Sequence, residues 1–378
     1  MPRALRLLAN GAPLALAALA LALAMWTVVP APSLPILVLA VAVPEAAPWA
    51  VAGCIAVALV AYALARGRAR IASLAFAAAA CACALVPLLE FPLARANAER
   101  ELDAQLGTQR IGPSPAAQNV TVVNDLAVVT RDGTRLGLDL YRPPGKGERP
   151  TIVTIYGGAW IFGNRAATAD IDRHYAALGY TAIAIDYRHA PAFVFPTQLH
   201  DVQDALATIA AHARAWGVDP RRVALFGRSA GAELALLAAY APEPLTIRAA
   251  VGYYTPADLR RGYDDPPEPD PANVRKILRT YIGSSPEHAA AAYAAASPLA
   301  EVRPGLMPTF LIGGERDALV RIAFQRELRD ALRAHGDEVV SIELPWSNHV
   351  FDEIPGGLGA SIATPATERF IAKTLGVR

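Results

Sequence analysis

The sequence predicts an α/β fold, a mostly parallel sheet with helices on both faces, preceded by about three transmembrane helices. Three observations predict it. After Asn119, short apolar runs alternate with helical stretches, the pattern of a parallel sheet wrapped by its own crossovers. Before that point, three long runs carry no charge at all. Two of the later apolar runs end in glycine-rich turns, at Gly157-Gly158 and at Gly227 to Gly231.

The uncharged runs are Gly11 to Pro44, Ala46 to Ala65 and Ile71 to Leu89. Each is long enough to cross a bilayer, so residues 1–94 read as a transmembrane region. The first covers roughly 34 residues, about 50 Å of helix, too short for two spans and a turn. One span therefore falls near Leu14 to Val29, broken by Pro30, Pro32 and Pro35, and Leu34 to Val43 is re-entrant or interfacial. The same opening run also fits a secretory signal peptide. Arg3 and Arg6 precede the first run, and Arg66, Arg68 and Arg70 separate the second from the third. Under the positive-inside rule both places are cytoplasmic, which leaves everything after Leu93 on the extracytoplasmic side.

Charge and cysteines narrow the function. A net charge of +1 gives no basic face for nucleic acid. Cys54, Cys81 and Cys83 all lie in the apolar runs, so the remainder has no disulfide framework, thiolate nucleophile or cysteine metal site. No pair of histidines with an acid stands at metal-ligand spacing, and no metal or cofactor is expected.

Arg95 to Leu106 is charged and helical, and Gly112-Pro113-Ser114-Pro115 gives a break, so 95–118 reads as a linker and 119–378 as a separate α/β domain. Asn119 to Val129 and Arg135 to Tyr141 flank Asp132-Gly133 as a hairpin. Strands follow at Thr151 to Ile155, Thr181 to Ile185, Arg222 to Phe226, Ala249 to Tyr253, Thr309 to Ile312 and Val339 to Leu344. Helical stretches include Gln198 to Trp216 and Ala230 to Tyr240. Residues 255–298 exceed a simple crossover and are either a lid inserted over the sheet or a surface excursion.

Gly227-Arg228-Ser229-Ala230-Gly231 sits between an apolar strand and a helix. That setting forms a sharp turn which exposes a serine hydroxyl at the start of a helix. A serine needs a base, and the base needs an orienting acid. Asp317 and His349 each follow a strand, in the order acid then histidine, with Glu315 as the competing acid. Of the other histidines, His174, His212, His288 and His335 read as surface residues, and His189 and His200 as structural ones upstream of the serine. The turn Tyr156-Gly157-Gly158-Ala159-Trp160 brings backbone amides toward the same place, as an oxyanion hole requires. Trp160, Phe162 and Trp346 lie close in sequence to these elements, as walls of an apolar pocket or as packing.

Together these residues resemble the hormone-sensitive-lipase-like and feruloyl-esterase-like carboxylesterases of the α/β-hydrolase superfamily. The likeness covers Tyr156 to Trp160 against H-G-G-G/A-W, Asp186-Tyr187-Arg188 with Ala190-Pro191, Phe195-Pro196 with Gln198 to Asp201, and Gly227 to Gly231 against G-D-S-A-G. It implies a serine hydrolase acting on a small carboxylic ester, with Ser229, Asp317 and His349 as triad and Gly158, Ala159 and Ala230 as oxyanion donors. Tyr156 stands for the family's histidine, Arg228 for an acid and Ala232 for a glycine. Arg228 then either favours an anionic substrate or meets a local carboxylate. Two other functions stay open: an amidase, peptidase or transacylase on the same triad, and a silent membrane receptor or scaffold. Oligomeric state is not legible.

Overall fold

The computed structural model describes residues 3–108 and 119–377, and side chains from residue 10 onward. The Gly112–Pro115 break and the side chains of Arg3 and Arg6 therefore lie outside the described residues. The N-terminal region holds helices α1 (Arg3–Ala24), α2 (Leu34–Glu45), α3 (Ala47–Leu64) and α4 (Gly67–Leu106). Three of these, α1, α3 and α4, are long and apolar enough to cross a membrane. At 12 residues α2 is too short, about 18 Å. Pro35 occupies the first turn of α2, where its missing N–H is not needed, so it opens a helix instead of ending one.

Helix α4 is continuous over 40 residues. Ala94, Ala98, Leu102 and Leu106 recur every four residues, form one stripe, and are buried in the core beneath the sheet. Arg369 ties the same stretch down by an ion pair to Asp103 at 2.6 Å. The part of the expected linker between residue 95 and Leu106 is thus docked helix. The signal for it was the apolar stripe among the charges.

The α/β unit continues with β1 (Thr121–Val129), β2 (Arg135–Arg142), β3 (Arg149–Ile155), α5 (Ala169–Ala177), β4 (Thr181–Ile185), α6 (Thr197–Ala211) and α7 (Ala213–Trp216). Next come β5 (Val218–Arg228), α8 (Ala230–Tyr240) and β6 (Ile247–Tyr253), and then three helices of the inserted segment, α9 (Leu259–Asp264), α10 (Val274–Ile282) and α11 (Pro286–Ala295). The chain ends with β7 (Thr309–Gly314), α12 (Ile322–Ala334), β8 (Val339–Leu344) and α13 (Leu358–Thr374). The strands form one eight-stranded sheet in the order β1-β2-β4-β3-β5-β6-β7-β8. Strand β2 runs antiparallel to both β1 and β4, and the pairs from β4 to β8 are parallel.

Alternation along the strands feeds two cores. Val153, Ile155, Val223 and Leu225 pack on the face covered by α6 and α8, while Ile152, Ala224 and Phe226 pack on the face covered by α4, α5 and α13. From β3 the chain steps to one side for β4 and returns to the other side for β5. The loops after β3 and β5 therefore diverge and open a crevice at the carboxyl ends of the strands, where open α/β sheets take their ligands.

Candidate active site

Ser229 occupies that crevice, between the end of β5 and the first turn of α8. Its φ of 50 and ψ of −123 are sparsely populated for a residue with a side chain. Its amide is held by Tyr253 O at 3.0 Å, and its carbonyl accepts from Ala232 N at 2.8 Å. Both flanking glycines are required sterically. A Cβ on Gly227 would stand 2.0 Å from Gly231 O, and one on Gly231 would stand 2.2 Å from Ile155 O at the end of β3. The turn thus presses the serine up while its own backbone packs against the neighbouring strand.

Asp317 follows β7 and His349 follows β8. His349 Nδ1 lies 2.7 Å from Asp317 Oδ2, and His349 Nε2 lies 2.9 Å from Ser229 Oγ. A carboxylate only accepts, so Nδ1 carries the proton and Nε2 is left to accept from the serine hydroxyl. Asp317 Oδ1 accepts from Leu319 N and Val320 N, both at 2.8 Å, which fixes the carboxylate plane. Asn348 Oδ1 accepts from Ala318 N and His349 N, joining the acid loop to the histidine loop. Glu315, the competing acid, is 41% exposed and pairs with Arg326 at 3.4 Å.

The loop after β3 faces Ser229. A Cβ on Gly157 would stand 3.3 Å from Ser229 Cβ, and Gly158, Ala159 and Trp160 all have positive φ, at 141, 52 and 60. Among the described residues, no carbonyl or side chain accepts from the amides of Gly158, Ala159 or Ala230. Tyr156 anchors the loop from below, donating to Tyr187 O at 3.2 Å and sharing a 2.8 Å bond with His189 Nε2.

Two partners were not evident in the sequence. Glu233, fully buried on α8, accepts from Trp160 Nε1 at 3.0 Å and Tyr281 OH at 3.1 Å, and the two rings stack at 4.1 Å. Burial raises its carboxyl well above the usual range, against the lowering pull of those two donors. Tyr254 sets its ring 4.4 Å from that of His349 and donates to Asp352 Oδ1 at 2.9 Å. The acid at i+4 from the serine was the only signal available for Glu233.

Arg228 is paired with Asp352, so its charge meets a local carboxylate. Of the three aromatic residues expected beside the site, Trp160 lines the cavity next to Ser229. Phe162 is 66% exposed and does not line it. Trp346 is fully buried in the core on the α4 side, against Phe91 and Glu45, because β8 delivers it to the opposite face from the cavity. The cavity itself is apolar, walled by Leu259, Val274, Ile277 and Leu278 of the inserted segment and by Leu319 and Phe324.

Comparison with known proteins agrees with this architecture. The model of the BD-FAE family matches residues 138–332, from β2 through α12. The probable carboxylic ester hydrolase LipM of Mycobacterium tuberculosis is 33% identical over 253 residues, covering 62% of this chain and 58% of that protein. Esterase LipQ of the same organism is 30% identical over 256 residues, covering 64% of this chain and 59% of that protein. The chain therefore spans less than two thirds of the length of these curated relatives. Among solved structures, a hyperthermophilic esterase from the archaeon Pyrobaculum calidifontis superposes with a TM-score of 0.58 at 22% identity, over 77% of this chain and 95% of that one. A bacterial heroin esterase superposes at 0.56 and 24% identity, over 76% and 91%. At these identities the structural likeness is one of fold, and it is the α/β-hydrolase fold of esterases. The sheet order, the turn at Ser229 and the family match over 138–332 lead to one conclusion: the chain belongs to the BD-FAE family.

Proposed function

We propose that the chain hydrolyses carboxylic esters through an acyl-enzyme on Ser229. The observation that carries this reading is the unbroken chain from Asp317 through His349 to Ser229 Oγ, at 2.7 and 2.9 Å, on the floor of an apolar cavity. His349 Nε2 takes the hydroxyl proton as Ser229 attacks the ester carbonyl, and Asp317 steadies the imidazolium. The amides of Gly158, Ala159 and Ala230 hold the oxyanion of the tetrahedral intermediate. The imidazolium returns its proton to the departing alcohol. Water, deprotonated by the same nitrogen, then releases the acyl group and restores the serine. The relatives LipM and LipQ, a probable carboxylic ester hydrolase and an esterase by name, support an ester as the bond cut. Replacing Ser229 with alanine should lower turnover of a chromogenic short-chain ester by roughly four to six orders of magnitude. Unchanged turnover by the purified variant contradicts the assignment.

We propose as well that α1, α3 and α4 anchor the enzyme in a membrane. Helices α1, α3 and α4 leave large apolar side chains exposed, Trp49 at 81% and Leu59 at 65% among them, and these favour lipid over water. Arg66 N donates to Asn10 Oδ1 at 2.9 Å, so the start of α1 and the turn before α4 share one end of the bundle. Under the positive-inside rule Arg66, Arg68 and Arg70 favour a cytoplasmic position for that end, which puts the catalytic domain on the other side in this reading. A reporter active only in the cytoplasm, fused after Arg378, should be silent; a strong signal contradicts this sidedness.

A further inference from the structure

Glu45, the last residue of α2, reaches into the catalytic unit. Only 1% of it is exposed. Its Oε1 accepts from Ser347 Oγ at 2.6 Å and from Trp346 Nε1 at 3.2 Å, and its Oε2 accepts from Gly359 N at 2.5 Å, in the first turn of α13. Ser347 stands two residues before His349. The other side of Ser347 is equally constrained, since its carbonyl accepts from Arg316 N at 3.1 Å and leaves no room for a side chain on Gly314. The contact surface continues along α2, where Leu37, Ala40 and Val41 pack with Ala318, next to Asp317, and with Leu319 and Val350. Leu319 also lines the cavity at Ser229.

A lone carboxylate is an expensive group to enclose. Burial pushes the Glu45 carboxyl up to about 7, against the lowering pull of Ser347, Gly359 and Trp346, with Asp352 raising it further. An apolar side chain would seal the joint between α2 and the sheet without that penalty. What an apolar side chain cannot do is accept from the histidine loop and from α13 at once.

We propose that Glu45 is a positioning residue for His349: by binding Ser347, Trp346 and Gly359 together it fixes the histidine loop, so that the membrane-proximal helix α2 sets the geometry of the triad. This rests on the reading of Ser229, His349 and Asp317 as a hydrolytic triad. Glu45 touches neither substrate nor reacting atoms. Its effect is on the distance between His349 Nε2 and Ser229 Oγ, and such alignment governs the rate of the chemical step more than substrate affinity.

The test uses the full chain in detergent micelles, with a chromogenic short-chain ester and a fluorophosphonate probe that counts reactive Ser229. For Glu45→Ala, kcat per labelled site should fall about 10- to 100-fold with KM changed less than about threefold. Glu45→Gln keeps an oxygen for Ser347 and Trp346 but turns an amide nitrogen, which cannot accept, toward Gly359 N, and should recover only part of that loss. A residue that merely stabilises the fold would lower the number of labelled sites and leave kcat per site unchanged, and that result overturns the proposal. Should Glu45→Ala fail to fold, Ser347→Ala removes only the donor hydroxyl. It should lower kcat per labelled site several-fold while leaving the number of labelled sites unchanged; no loss of kcat per labelled site overturns the proposal. If Ser229→Ala remains active, the triad reading itself fails. If Ser229 labels normally while the Glu45 and Ser347 variants turn over as fast as wild type, only the role of Glu45 fails.

Discussion

Asp317 Oδ2 lies 2.7 Å from His349 Nδ1, while Asp317 Oδ1 is claimed by the amides of Leu319 and Val320. The acid is thus held by its own loop before it meets the histidine, and it has one free oxygen to offer. Replacing it with asparagine leaves the shape but lets an N–H face Nδ1, which selects the wrong tautomer. Asp317→Asn should lower kcat about ten-thousandfold, whereas Glu315→Gln, which loses only an exposed ion pair with Arg326, should stay within about twofold. Steady-state kinetics on the two variants decide which carboxylate serves the site.

The turn at Ser229 has no slack. A methyl group on Gly231 would come within 2.2 Å of Ile155 O and 2.4 Å of Tyr156 O, both backbone atoms. Gly231→Ala should therefore cost about 3 kcal/mol or more and lower the thermal unfolding midpoint. A variant as stable as wild type would mean that β3 and α8 are less closely opposed than described.

Asp172 predicts a pH dependence. It is fully buried on α5, where Thr154 and Thr168 donate to it at 2.7 and 2.8 Å. Burial raises its carboxyl from 3.8 to about 7, despite those two bonds. The folded chain then binds this proton more tightly than the unfolded chain. Its contribution to stability is full below about pH 4 and is lost as pH rises toward about 7, a change of order a few kcal/mol. Asp172→Asn, neutral throughout, should flatten the slope of unfolding free energy between these limits. An equal slope in wild type and variant contradicts the assignment.

The inserted segment contributes a wall of the cavity through Ile277 on α10. Ile277→Trp fills apolar volume next to Ser229 without touching the triad. For chromogenic esters it should lower kcat/KM by about tenfold for a hexanoate relative to an acetate. Equal effects on both esters would remove this segment from the acyl site.

Much of the fold was legible because buried strands write themselves as short apolar runs: Thr181 to Ile185 is β4 to the residue, and Val339 to Leu344 is β8. Ser229, Asp317 and His349, which lie within hydrogen-bond reach of one another, stand out in the sequence because each follows such a run. What escaped the sequence depends on partners far along the chain. Glu45 stands between two uncharged runs, yet its partners lie 301, 302 and 314 residues away. Trp346 sits three residues before His349, but the alternation of β8 and its bond to Glu45 send it to the other face. Arg228 admits two readings in the sequence because its partner, Asp352, lies 124 residues later. The charged stretch from Arg95 to Leu106 looked like a linker, and only the four-residue spacing of Ala94, Ala98 and Leu102 marks it as a docked helix.

A nucleophile at Ser229 activated by His349 would be labelled covalently by a fluorophosphonate. Full-length protein treated with a fluorophosphonate, digested and analysed by mass spectrometry should carry the adduct on Ser229, with none in Ser229→Ala and markedly slower labelling in His349→Ala. An unmodified Ser229 in folded protein, or an adduct that persists at another residue when Ser229 is replaced, would exclude Ser229 as the nucleophile.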